Sequence, residues 1–116
     1  MTIEDELHDI ESGFWTKGED YYRAHLDEQC LISFPDMAGA NTRELVAATA
    51  KTPQHWKALH IERKGCVQPG EDMALINYTA TATRPDGRAF KALVSSGYVR
   101  RGKDWKMVFH GQTPLQ

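Results

Sequence analysis

His110 is the residue best suited to chemistry in this sequence. An imidazole titrates near neutral pH, so it can hold or move a proton under ordinary conditions. It lies in the run WKMVFHGQT, which reads as a strand. Alternation there puts Val108, His110 and Gln112 on one face and Trp105, Met107 and Phe109 on the other. Two further runs offer polar partners. MALINYTATAT carries Tyr78 on the face of Ala74, Ile76, Ala80 and Ala82, and AFKALVSSGYV carries Ser96 and Tyr98 on the face of Ala92 and Val94. No carboxylate falls on these faces, and a base ordinarily needs an orienting partner. The set suits binding of a polar ligand better than abstraction of a demanding proton. The structural alternative is a buried neutral His110, hydrogen-bonded to Tyr78, Ser96 or Gln112.

Other candidates are weaker. Trp15, Tyr22 and Phe34 come from helices or the first strand, where they can wall a pocket or simply fill the core. Trp56 and His60 share a face of the segment 55–67, and the pattern leaves open which face is inward. Nothing in the spacing supports His60 as a metal partner of His110. No CxxC or HExxH motif and no cofactor motif occurs, so neither a metal nor a cofactor is expected. His8, His25 and His55 read as surface residues, as do Asp36 and Glu62. Cys30 and Cys66 read as buried thiols in a reducing compartment, where a disulfide is not the expected state.

The elements that must position these groups follow from periodicity and breakers. Ile3, Leu7, Ile10 and Phe14 make one helical stripe, with Thr2 as N-cap and acids in the first turn. Gly18 ends it, and EDYYRAHLDE forms a second short helix. CLISFPD, Cys30 to Asp36, is a strand stopped by Pro35. Gly39 and Asn41 mark a turn, and Asn41 with Glu44 caps a third helix that ends near Pro53. The remainder reads as an antiparallel meander. HWKALHIERKGCV is a strand with a bulge at Gly65, PGED a turn, and RPDGR a tight hairpin turn built on Asp-Gly. Helices followed by strands give an α+β domain spanning residues 1–116.

Composition narrows the classes. The chain is 41% hydrophobic and 26% charged, which argues for a folded domain, and its net charge of −2 with no basic patch argues against nucleic acid. No apolar run reaches the roughly 20 residues of a membrane helix, and the acidic N-terminus lacks a signal-peptide pattern. A cytoplasmic protein is expected. Both faces of the long strands are substantially apolar, with no Lys or Glu between Met73 and Thr83. Helices can cover one face. A second copy of the chain is the expected cover for the other, placing Trp105, Met107 and Phe109 at a homodimer interface.

The element order, the turn GEDMA and the closing W-x-x-V-F-H-x-Q-T-P together resemble the nuclear-transport-factor-2-like superfamily. That superfamily has a cone-shaped cystatin-like fold and includes ketosteroid isomerases, SnoaL-like polyketide cyclases and the calcium/calmodulin-dependent kinase association domain. The resemblance covers Ile3 to about Pro114 and is closest to small bacterial members of unknown function. It implies about three helices on a curved, mainly antiparallel sheet of 4–6 strands, with a cavity between them. By the same resemblance Ala74, Ile76, Tyr78, Ala80, Ser96, Tyr98, Val108, His110 and Gln112 face the cavity. The isomerase machinery is not carried over: Phe34 stands where a basic aspartate is found, and neutral Ser96 where an acid is found. The expectation is a small-molecule-binding protein with an apolar cavity. Trp15, Tyr22, Phe34, Trp56, Tyr78, Ser96, Tyr98, His110 and Gln112 would contact a small apolar or aromatic ligand. If it is an enzyme, cofactor-independent isomerase, cyclase or dehydratase chemistry would use His110 as proton shuttle, with Tyr78 holding a carbonyl oxygen. The alternative is a non-enzymatic dimerisation or protein-interaction module.

Overall fold

Thr2 opens the first helix as its type suggests. Its hydroxyl accepts from the Asp5 N–H at 3.1 Å and its own N–H donates to the Asp5 carboxylate at 3.2 Å, a reciprocal capping box. The computed structural model describes residues 1–52 and 55–115. Helix α1 (Ile3–Thr16) turns Leu7, Glu11, Phe14 and Trp15 inward. After Lys17 and Gly18 comes α2 (Glu19–His25). The close approach of Tyr21 to α1 requires glycine at position 13, because a Cβ there would lie 2.0 Å from the Tyr21 ring.

Strand β1 (Leu26–Phe34) starts at Leu26 rather than Cys30. Pro35 and Asp36 reverse the chain into β2 (Met37–Thr42), which pairs antiparallel with β1. The turn expected at Gly39 and Asn41 is therefore an edge strand. The reversal happens earlier, and ladder pairing with β1 overrides the local turn preference of those residues. Asn41 does not cap the next helix; its side chain donates to the Gly39 carbonyl at 2.9 Å. Thr42 caps α3 (Arg43–Ala48) instead, accepting from the Leu45 N–H at 3.2 Å. Pro53, expected to end this helix, lies outside the described residues.

The meander consists of β3 (Ala58–Gly70), β4 (Met73–Thr83), β5 (Ala89–Arg101) and β6 (Asp104–Pro114). The turn between β4 and β5 uses Gly87 at φ 89°, a conformation that L side chains resist. The six strands form one open sheet in the order β2-β1-β6-β5-β4-β3, and β1 with β6 is the parallel pair. The helices cover one face. Leu7, Phe14 and Trp15 of α1 and Val46 of α3 join Ile32, Ile76, Tyr78, Val94 and Tyr98 of the sheet in the core. In β3, Leu59 and Ile61 pack on that core while His60 and Glu62 are exposed, which resolves the face left open by the sequence.

Bulges break the alternation. Register slips between Arg63 and Gly65, as expected for Gly65. A second bulge lies in β6, where Gly97 pairs with Phe109 but Tyr98 pairs with Met107, leaving Val108 over. The extra residue reverses the phase of the strand. Trp105 and Met107 are buried in the core on the helix side, and His110 is buried beyond the bulge. The placement of Trp105 and Met107 on an outer interface is thus corrected, because strict alternation does not register an inserted residue. Of that trio only Phe109 lies on the outer face, where its ring passes over Gly111 and its Cβ over Gly97. Two smaller readings also change. Cys66 is exposed while Cys30 is buried, and both are free thiols. His8 is buried, not on the surface, since it follows Leu7 and precedes Glu11 on the inward side of α1. Among the described residues no helix is long and apolar enough to cross a membrane.

Candidate functional site

Glu11 organises the polar groups beneath the helices. It is fully buried, four residues after Leu7 and three before Phe14, and so lies on the apolar stripe of α1. Its two carboxyl oxygens accept the hydroxyls of Tyr78 at 2.5 Å and Tyr98 at 2.6 Å. The Tyr78 hydroxyl also accepts from the Trp15 indole N–H at 2.9 Å. Burial holds both phenols well above the ordinary tyrosine range, and the neighbouring Glu11 charge adds to this. Strand alternation does not reveal Glu11, because this carboxylate comes from helix α1 and not from the sheet. The signal was available: a lone acid inside the 7-11-14 spacing.

His110 touches this network from β6. Its Nδ1 is 2.7 Å from Ser96 Oγ, and its Nε2 is 3.1 Å from the Gln112 side-chain nitrogen. In this amide orientation Gln112 donates to Nε2, so the ring proton sits on Nδ1 and is donated to Ser96. Nδ1 is also 3.9 Å from a Glu11 oxygen. Burial lowers the His110 pKa below the ordinary histidine value, and the Glu11 charge opposes that shift only in part. The ring is therefore neutral at neutral pH, and the Glu11 approach is not an ion pair in that state. The Phe34 ring stands edge-on to it, with centroids 5.4 Å apart.

Between α1, α2, α3 and the sheet lies a cavity of about 360 Å³. His110 and Gln112 meet it at the sheet, and Phe14, Trp15, Leu26, Ile32 and Met107 give it buried apolar walls. Lys17, Thr49 and Thr52 are exposed and, with half-buried Arg84, mark its mouth. Of the residues expected to meet a ligand, Trp15, Tyr22, Phe34, Trp56, His110 and Gln112 line this space. Tyr22 does so with its hydroxyl bonded to the Phe14 carbonyl at 2.6 Å, and burial raises its pKa to about 12. Tyr78, Ser96 and Tyr98 point to the helix side but are fully buried behind the lining. The expectation that they touch a ligand, and that Tyr78 holds a carbonyl oxygen, is corrected. Glu11 and Trp15 occupy the Tyr78 hydroxyl, and small inward side chains let α1 pack directly over it. Asp36 and Glu62 are exposed and His60 points away from the core, while Val108 is the bulged residue.

No protein-family model and no curated protein sequence matches the chain. Solved structures do match. An NTF2-like protein of unknown function from Prochlorococcus marinus superposes with a TM-score of 0.79 at 13% identity, covering 100% of this chain and 95% of that one. A candidate ketosteroid isomerase from Parabacteroides distasonis gives 0.82 at 12% identity over 99% of this chain and 89% of its own. A candidate calcium/calmodulin-dependent kinase type II association domain from Thiobacillus denitrificans gives 0.77 at 22% identity, over 99% and 96%. At these identities the likeness establishes the architecture alone. The chain has the NTF2-like α+β fold.

Proposed function

We propose that this NTF2-like chain is a small-molecule-binding protein whose ligand occupies the cavity between sheet and helices. The observation that carries the reading is the cavity itself. About 360 Å³ of space is walled by buried apolar and aromatic side chains and meets one polar pair, His110 and Gln112, at the sheet. Such a space falls in the range of about 300–1,000 Å³ typical of ligand pockets, in which a few polar groups fix orientation. The test is a thermal-shift screen of small aromatic and polyketide-like compounds on the wild type, His110→Ala and Gln112→Ala. A ligand that stabilises the wild type and loses its effect in both variants supports the reading. Shifts that survive both substitutions unchanged would sink it.

Glu11 favours a catalytic reading of the same site. A neutral imidazole is already the basic form, and a buried carboxylate 3.9 Å from Nδ1 would stabilise the imidazolium that appears when Nε2 takes a proton. His110 would then shuttle a proton in a cofactor-independent isomerisation, cyclisation or dehydration once Gln112 turns aside. A histidine-dependent rate that falls in Glu11→Gln, with ligand affinity retained, is the kinetic signature to look for.

The outer face of the sheet supports assembly as a homodimer. Register across five strands brings Val67, Leu75, Gly97, Phe109 and Leu31 into one row. Val67 and Leu31 are 59% and 51% exposed, and Met73 and Leu93 flank the row at 40% each, an apolar strip that a second copy would cover. The likeness to a protein named as an association domain accords with this. Assembly of this kind is compatible with an occupied cavity on the opposite face.

A further inference from the structure

We propose that the ligand of this cavity is an organic anion, a small aromatic or alicyclic carboxylate whose charged group is met at the mouth by Lys17 and Arg84. The proposal rests on the reading of the cavity as a ligand site. Its starting point is an asymmetry of charge. The chain has 16 acidic residues against 14 Lys and Arg, yet among the described residues no acid lines the cavity, whereas Lys17 and Arg84 do.

Arg84 also differs from four of the other arginines. Arg23, Arg63, Arg88 and Arg101 each hold a carboxylate at 2.9 Å or less. Arg43 reaches only the Asp27 carbonyl at 3.4 Å, and Arg100 stands over Trp105 with Asp72 4.0 Å away, but neither lines the cavity. Among the described residues Arg84 has no carboxylate within 4.0 Å, and the one hydrogen bond of its guanidinium is a long contact of 3.5 Å to the Ala89 carbonyl. Its guanidinium instead stands over the rings of Trp56 at 5.8 Å and Phe90 at 5.5 Å. Trp15 adjoins Trp56 at 5.8 Å, so the aromatic group continues from the mouth into the cavity wall. A guanidinium packed on aromatic faces keeps its N–H edge available, and that edge matches a carboxylate with two parallel hydrogen bonds. Apolar surroundings strengthen the attraction relative to open water.

The rest of the lining fits the remainder of such a molecule. Aromatic and aliphatic walls take a ring body, and the small volume favours a compact one. His110 is neutral and Gln112 uncharged, so a polar substituent at the far end needs no second charge. The cavity is thus graded from cationic mouth through apolar throat to neutral polar floor.

The test uses a matched pair of probes, 2-naphthoate and 2-naphthamide, alike in size and different in charge. Tryptophan fluorescence reads binding, because Trp15 and Trp56 both line the cavity. The wild type should bind naphthoate about tenfold or more tightly than naphthamide, as a charge-assisted hydrogen bond provides. Added sodium chloride should weaken the first and leave the second unchanged. Arg84→Gln and Lys17→Gln should each cut the preference severalfold and the double variant should abolish it, with naphthamide affinity kept as the internal check on folding. Lys91→Gln, at an exposed residue away from the cavity, should keep the preference. Equal affinity for the two probes overturns the anion and leaves the cavity reading standing. A preference that survives the double variant, or is lost equally in Lys91→Gln, overturns the role of Lys17 and Arg84. Binding of neither probe overturns both readings.

Discussion

Removing the Glu11 carboxyl would strand two buried phenols and leave the indole–phenol–carboxylate chain without its end. Each orphaned buried group costs about 1–3 kcal/mol, and breaking a buried charged cluster on one side costs about 3–5 kcal/mol. Glu11→Ala should therefore lower stability by about 3–5 kcal/mol in urea unfolding, and Glu11→Gln by less, since an amide oxygen still accepts one hydroxyl. A second expectation concerns pH. Burial depresses the pKa of His110, and also of His8 and His25, below the ordinary histidine value. Between the folded and unfolded pKa values the unfolded chain binds more protons, so stability rises with pH there and is lost as pH falls below about 6.5. His110→Asn should flatten that slope, by at most about 1.4 kcal/mol per pH unit, in thermal unfolding between pH 7.5 and 5. Asp5, lowered to about 2 chiefly by its bond to Arg63, would lose its contribution only in stronger acid, which separates the two windows. At this scale His110 and Gln112 could be singled out by type and alternation. Glu11 could be found only by asking why an acid stands among Leu7 and Phe14.

The elements show where local pattern decides and where it does not. The N-cap at Thr2 and the Asp86-Gly87 turn are local and readable, whereas the capping pattern expected at Asn41 and Glu44 gives way to a cap at Thr42. Gly87→Ala should cost about 1–2 kcal/mol, because φ 89° is strained for a residue with a Cβ, and denaturant titration would register it. Gly13→Ala should cost about 1–3 kcal/mol through collision with the Tyr21 ring, relieved in the double variant with Tyr21→Ala. The bulge at Val108 is another matter. It assigns Trp105 and Met107 to the core and keeps His110 inward, yet no residue type in WKMVFHGQT announces it. Strand β2 is similar: Gly39 and Asn41 carry turn chemistry, and only the proximity of β1 makes them a strand.

For the whole molecule the expected assembly can be tested on the outer face without touching the core. Sedimentation velocity at micromolar concentration should show a dimer for the wild type and a monomer for Leu31→Lys combined with Leu75→Lys. The helical content of the variant should be unchanged, since Leu31 is exposed and Leu75 only half-buried. A wild-type monomer would remove the dimer from the account. The folded domain would remain, because the helices already cover the other face of the sheet.

By itself the sequence determined the α+β class, the order of helices before meander, which residues of β4 and β5 share a face, and the polar candidates around His110. Those features depend on short-range periodicity, capping and turn chemistry, which act between residues a few positions apart. The tertiary structure alone decided which polar groups reach the cavity. It sealed Tyr78 and Tyr98 behind Glu11, left His110 and Gln112 in the cavity lining, and brought Lys17 from the end of α1 into the lining of the same cavity as Arg84 from the β4–β5 turn. Pairing register, a single inserted residue and the seating of α1 set those distances, and all three depend on residues far apart in the chain.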